Sequence, residues 1–350
     1  MQVSMEPTPS RSRSRIWPVA IFLAILVLGV FYAKWEPYYF KTLTAASTHS
    51  IGHSIVTGTS NRAPAISWQA AWQYGLAYFK DIWVALLVGL LVGAGVQTLL
   101  PASWLYRVFG RVSAKGRLWA ILAAIPSMMC TCCSAPIVVG MKRQHLSNGA
   151  ALGYWLANPL LNPATIIFMG FVLGWNWALL RIVVGALLVV GASWLGDRTA
   201  DSAAQASFAG PPPAEEPPTV AKFLRQFGLL VVRLLPEYVV IVLLLGALRA
   251  WLFPAMNAGI GGSWWLVLVF AIVGTLFVIP TAGEVPIVQT LMHFGLGLAP
   301  AGTLMITLPA VSLPSMAMVG QQMGVKVVAK VAVLVAVTGV ITGVLAHWLL

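Results

Sequence analysis

Between Ala250 and Val325 the chain carries one formal charge, Glu284, in 76 residues. A water-soluble domain has about 25% charged residues, so a stretch this long and this uncharged cannot form a wetted surface. It can cross lipid, because a bilayer is spanned by roughly 20 apolar residues. Residues 82–106, 118–141, 146–180 and 331–350 are likewise uncharged, and the whole chain is 59% hydrophobic and 9% charged. Because backbone polar groups in lipid must be satisfied within the chain, the expected class is an all-α polytopic membrane protein.

Two interruptions divide this apolar sequence. The first runs from Pro126 to Pro136 and holds all three cysteines, Cys130, Cys132 and Cys133. The second runs from Pro280 to Pro286 and holds Glu284. Irregular backbone at membrane depth is tolerated only where protein encloses it or a cavity wets it. Basic residues flank the first interruption on both sides, Lys115 and Arg117 before it and Lys142 and Arg143 after it. The segment 118–141 therefore reads as a re-entrant hairpin. Thirteen helical residues from Leu118 reach roughly 20 Å, past the midplane. A single span kinked at Pro126 is the competing reading.

In chain order, residues 1–81 comprise a cytoplasmic amino terminus with Arg11, Arg13 and Arg15, a first transmembrane helix over 16–33 and an outer segment. In that segment Trp68, Trp72, Tyr74 and Tyr78 suggest an interfacial helix. No small-x-small cleavage site follows the first apolar run, which argues against a removed signal peptide. Residues 82–196 form a first repeat with the cysteine hairpin. Residues 197–221, rich in Ala, Pro, Ser and Glu, form a cytoplasmic linker. Residues 222–350 form a second repeat with the Glu284 hairpin. At an offset of 150, Pro136 matches Pro286, Pro159 matches Pro309 and Gly170 matches Gly320. The first repeat begins outside and the second inside. The expectation is thus two inverted-topology repeats, each with a re-entrant or broken helical hairpin, with about 7 full transmembrane helices plus 2 hairpins.

This arrangement leaves six of the 21 Lys and Arg residues outside: Lys34, Lys41, Arg62, Lys80, Arg181 and Arg249. The net charge of +12 then reflects the positive-inside bias rather than nucleic-acid binding. Three close cysteines without partners elsewhere do not make a disulfide framework. No phosphate loop is present, so the chain alone is not an ATP-driven pump. No cofactor and no resident metal are expected.

The residues that can carry chemistry lie near the two interruptions. Thiolates select soft or thiophilic species, which makes Cys130, Cys132 and Cys133 candidate substrate ligands; small-residue packing is the alternative. Glu284 reads as an unpaired carboxylate that costs roughly 2.5–3.5 kcal/mol at the bilayer centre. It is a candidate for substrate binding and proton coupling, or for a structural hydrogen bond within its hairpin. Asn158 and Asn162, each followed by proline, can satisfy exposed backbone groups or contact substrate. Ser312 and Ser315 occupy the equivalent region of the second repeat.

The run Cys130-Thr-Cys-Cys-Ser-Ala-Pro136, the following Gly-Met-Lys-Arg143 and the run Ala157-Asn-Pro-Leu-Leu-Asn-Pro163 resemble the bacterial predicted-permease family of the YraQ type. That family includes the organoarsenical (methylarsenite) efflux permeases. The resemblance covers roughly residues 80–350. It implies a multi-pass permease of the bacterial cytoplasmic (inner) membrane and, for the arsenical members, thiol-dependent handling of trivalent methylated arsenic.

The expected function is a secondary transporter moving a small soft or thiol-reactive solute, an organoarsenical or a sulfur compound, between the hairpins. Its partners would be that small-molecule substrate and the lipid bilayer, with a homo-oligomer left open. The competing functions are a membrane thiol oxidoreductase using Cys130 and Cys133, which would lack a second cysteine pair for electron relay, and an ion channel.

Overall fold

The computed structural model describes residues 16–60, 62–110, 112–198, 218–254 and 261–350. The arginines at 11, 13 and 15, Arg111, and most of the expected linker, 199–217, lie outside the described residues. Among the described residues the chain is helical, apart from one isolated bridge between Ser54 and Gly58. Six helices among the described residues are long and apolar enough to cross a membrane, or seven if a pair bent by 47° counts as one span. Leu187, Val190, Val232, Val240 and Val333 are exposed on the helix surfaces, an apolar exterior that fits lipid and not water. This is a polytopic helical membrane protein.

The described residues open with α1 (Ile16–Val30), a π turn (Phe31–Trp35) and α2 (Glu36–Thr48). These run on without a break, so the first helix extends well past residue 33, its expected end. Helix α3 (Trp68–Thr98) then spans 31 residues. The expected boundary at 81/82 falls inside it, and there is no separate interfacial helix. No proline or glycine pair interrupts the chain there, and Tyr74 and Tyr78 are buried rather than laid on a membrane surface.

After the short α4 (Ala102–Leu105) come α5 (Ala114–Ala124), α6 (Thr131–Arg143), α7 (Asn148–Leu160), α8 (Pro163–Val172) and α9 (Trp175–Arg198). The second half supplies α10 (Val220–Leu252), α11 (Trp265–Leu276), α12 (Glu284–His293), α13 (Leu298–Ala310), α14 (Leu313–Met323) and α15 (Val325–Leu349). Helices α13, α14 and α15 begin 150 residues after α7, α8 and α9, the offset read from the prolines and glycines. Both hairpins are broken helices: α5 gives way to α6, and α11 to α12. Asp197, placed at the start of the linker by its composition, instead ends α9 and pairs with Arg117 at 2.9 Å.

Packing partners exchange when the halves are swapped. Helix α5 packs on α7 as α11 packs on α13, and α7 on α9 as α13 on α15. Across the halves, α6 packs on α14 as α12 packs on α8, while α3 meets α10, α7 meets α13 and α9 meets α15. A two-fold relation between halves produces this pattern, and it brings the starts of α6 and α12 toward one region. Helix α6 is seated on α3 by close backbone approach. A Cβ at Gly89 would collide with the Cys133 carbonyl, and one at Gly93 with the Pro136 carbonyl. Small residues four apart permit such contact between membrane helices.

Candidate functional site

The first break is built on Pro126. After α5 the chain makes a 3-10 turn over Ile125–Ser127, Met128 takes a left-handed φ of 48°, and Cys130 stands as the N-cap of α6. Helix α7 holds this backbone. Asn158 Oδ1 accepts from Ser127 Oγ and from the Met129 N–H, while its Nδ2 donates to Tyr154 O at 2.9 Å. Trp155 Nε1 donates to Thr131 O at 3.2 Å.

The second break, 277–283, repeats the device with different residues. Ala282 takes a left-handed φ of 65°, and α12 begins at Glu284, where the positive end of the helix dipole favours a carboxylate. Tyr74 Oη donates to Val278 O, and Lys34 Nζ donates to Thr281 Oγ1 at 2.8 Å.

The two breaks meet. Cys130 and Thr131 from the first, and residues 279–282 with Glu284 from the second, line one cavity of about 10 Å³, together with Thr165 and Pro159. That volume holds about one water, so the hairpins are closed on each other here, and any larger solute requires them to part.

The three thiols do not form a single cluster. All are free and buried, and Cys130 Sγ lies 3.1 Å from Cys133 Sγ. Cys132 points the other way, with its Sγ 3.3 Å from Ser312 Oγ and near the hydroxyls of Tyr78 and Tyr238, themselves 2.6 Å apart. The helical turn decides this: residues 130 and 133 share a face, and 132 does not.

Glu284 is not unpaired, contrary to the sequence reading. Arg181, expected outside, is fully buried in α9, and its Nη2 lies 2.8 Å from Glu284 Oε1. Arg181 also donates to Pro159 O, Leu160 O and Met305 O at 2.7, 3.2 and 3.1 Å. In a continuous helix Pro159 O and Met305 O would accept from residues 163 and 309, but both are prolines without an N–H. Arg181 therefore satisfies carbonyls that prolines orphan in both halves, while neutralising the buried carboxylate. Among the described residues Glu284 Oε2 has no partner. Lys34 and Arg249 are buried as well, so three of the six basic residues assigned to the outside lie within the packed helices.

Asn162 and Ser312, 150 residues apart, are both N-caps. Asn162 Oδ1 accepts from the N–H groups of Ala164 and Thr165 and begins α8, and among the described residues its Nδ2 has no partner. Ser312 exchanges hydrogen bonds with Ser315 and begins α14. Of the expected site residues, Cys130 and Glu284 therefore face the cavity, Cys133 backs Cys130, and Ser312 meets Cys132. Asn158 and Asn162 fix the surrounding backbone.

The predicted-permease family ArsP_1 matches residues 19–192 and 67–348 of this chain. The chain belongs to this family. It is 44% identical over 316 residues to the UPF0718 protein YraQ of Escherichia coli (strain K12), covering 89% of this chain and 90% of that protein. It is 20% identical over 309 residues to the UPF0718 protein MJ0584 of Methanocaldococcus jannaschii, covering 69% of this chain and 85% of that protein. No solved structure matches it.

Sequence reasoning about this permease missed Lys34, Arg181, Thr281 and the pair Tyr78–Tyr238. The one signal available was position: Arg181 lies four residues into an otherwise uncharged run, where a loop residue is out of place.

Proposed function

We propose that this protein is a secondary-transporter-type permease of the bacterial cytoplasmic membrane, amino terminus inside, that passes a small soft or thiol-reactive solute between its two hairpins. The carrying observation is the closed cavity shared by Cys130 and Thr131 of one break with Thr281 and Glu284 of the other. Broken helices meeting at a repeat interface are the architecture of alternating access. An organoarsenical or a sulfur compound suits the Cys130–Cys133 face. Glu284 is proposed to couple protons through its unpartnered Oε2 when the Arg181 pair opens.

The test is solute counterflow in proteoliposomes, with methylarsenite and thiosulfate as probes. Cys130→Ser and Cys133→Ser should each abolish flux that Cys132→Ser largely keeps, with melting temperatures near wild type. Undiminished flux in the Cys130→Ser/Cys133→Ser double variant would remove the thiols from the pathway. The oxidoreductase reading retains one supporting observation, the 3.1 Å approach of Cys130 and Cys133. Reduction of a disulfide substrate without net solute movement would favour it.

A further inference from the structure

We infer that the site takes a small anion, and that Lys34 on the amino-terminal helix supplies the countercharge. This rests on the permease reading and adds the charge of its substrate. Lys34 is 3% exposed. Its ammonium donates to two neutral hydroxyls, Tyr38 Oη at 3.2 Å and Thr281 Oγ1 at 2.8 Å. Among the described residues no carboxylate pairs with it, and the buried carboxylate of the site, Glu284, is held by Arg181. An ion without a countercharge is unfavourable in a protein interior, and a bound counterion relieves this.

The surroundings have the same sign. With the three thiols protonated, the Arg181–Glu284 pair sums to zero, which leaves Lys34 as the net charge. Its partner Thr281 lines the cavity, and its ammonium is within electrostatic reach of Cys130 and Cys133. Cys130 is the N-cap of α6, α12 begins at Glu284, and Thr165 of the cavity wall sits in the first turn of α8. Their amino-terminal ends direct partial positive charge toward the same space. A soft cation such as a cuprous ion would enter against this field, whereas an anion carrying soft sulfur fits both the charge and the thiols.

The placement of Lys34 gives it a hold on both breaks. It lies in the π turn Phe31–Trp35, a distortion found frequently at functional sites. The next residue, Trp35, donates from Nε1 to Pro126 O at 3.0 Å in the first break, while Lys34 reaches the second. One turn of a helix outside both repeats thus touches both halves of the site, and an anion drawn to Lys34 would compete with Thr281 for the ammonium.

The experiment is a thermal-shift titration of the purified full chain in detergent with sodium thiosulfate, using sodium chloride at equal ionic strength as control and uncharged phenylarsine oxide as a second probe. Wild type should be stabilised saturably by thiosulfate. Lys34→Met should weaken the half-saturating concentration by at least about tenfold, the size expected for removing a buried charge partner, while phenylarsine oxide still acts. Lys34→Arg should retain most of the response. Stabilisation of wild type by phenylarsine oxide but not by thiosulfate would overturn the inference, as would a Lys34→Met variant that answers thiosulfate like wild type. If Lys34→Met does not fold, wild type and Lys34→Arg decide by the same criteria. Counterflow judges the permease reading separately, since thiosulfate binding without flux upholds the charge assignment and defeats transport.

Discussion

The two hairpin breaks occupy equivalent places in the repeats and differ in nearly every polar group. The first carries three thiols and no charge, spans Pro126 to Pro136, and is held by an α7 amide and by glycine contacts with α3. The second carries one carboxylate and no thiol, spans only Pro280 to Pro286, and is held by Tyr74, Lys34 and Arg181, all outside its own hairpin. Both keep one non-glycine residue in the left-handed region, Met128 and Ala282, at roughly 1–2 kcal/mol each. Strain of this kind persists where surrounding structure enforces it, and it clusters at functional sites. The two halves share the backbone interruption and differ in the chemistry placed in it.

The largest expected effect tests the second break. Arg181→Met strands Glu284 and leaves three carbonyls without their donor, which should cost about 3–5 kcal/mol and prevent accumulation of folded protein, read by size-exclusion profile and melting temperature. Glu284→Gln leaves Arg181 without its countercharge and should cost about 3 kcal/mol, the lower end of that range, because Arg181 keeps its carbonyl acceptors and meets an amide oxygen in place of the carboxylate. Adding Glu284→Gln to Arg181→Met should recover part of the loss. Equal costs for the two single variants would mean that the carbonyls contribute little and that the pair alone matters.

Gly89→Val tests the first break. The added side chain meets the Cys133 carbonyl and pushes α6 off α3, at about 1–3 kcal/mol as for other overpacked interiors, again read by melting temperature. The position 150 residues on, Val239, already bears a side chain, so Val239→Gly should not loosen α12 in the corresponding way. A wild-type melting temperature for Gly89→Val would show that the cysteine hairpin is not seated by that contact.

The narrowest functional consequence belongs to Glu284→Gln in proteoliposomes. Counterflow should survive while uptake driven by a pH gradient falls, because the amide cannot release a proton. Gradient-driven uptake equal to wild type would make Glu284 the structural anion of Arg181 and nothing more.

Much of the fold was legible because hydropathy and proline reach directly into backbone physics. The apolar runs fixed the class, the prolines at 126, 136, 280 and 286 marked the breaks, and the 150-residue offset of Pro159 and Pro309 reappears in the starts of α7 and α13. Local composition misplaced Asp197, which reads as linker and sits in a helix.

Tertiary structure alone decided which polar groups meet. Arg181 finds Glu284 across 103 positions, Tyr78 finds Tyr238 across 160, and Lys34 reaches Thr281 across 247. Hydropathy records that a residue leaves water. It does not record which of two apolar surroundings, lipid or protein, receives it, because packed side chains and lipid tails are equally apolar. Arg181 and Lys34 therefore looked like edge charges beside membrane spans, and only the packing of α9 and the amino-terminal helix placed them at the site.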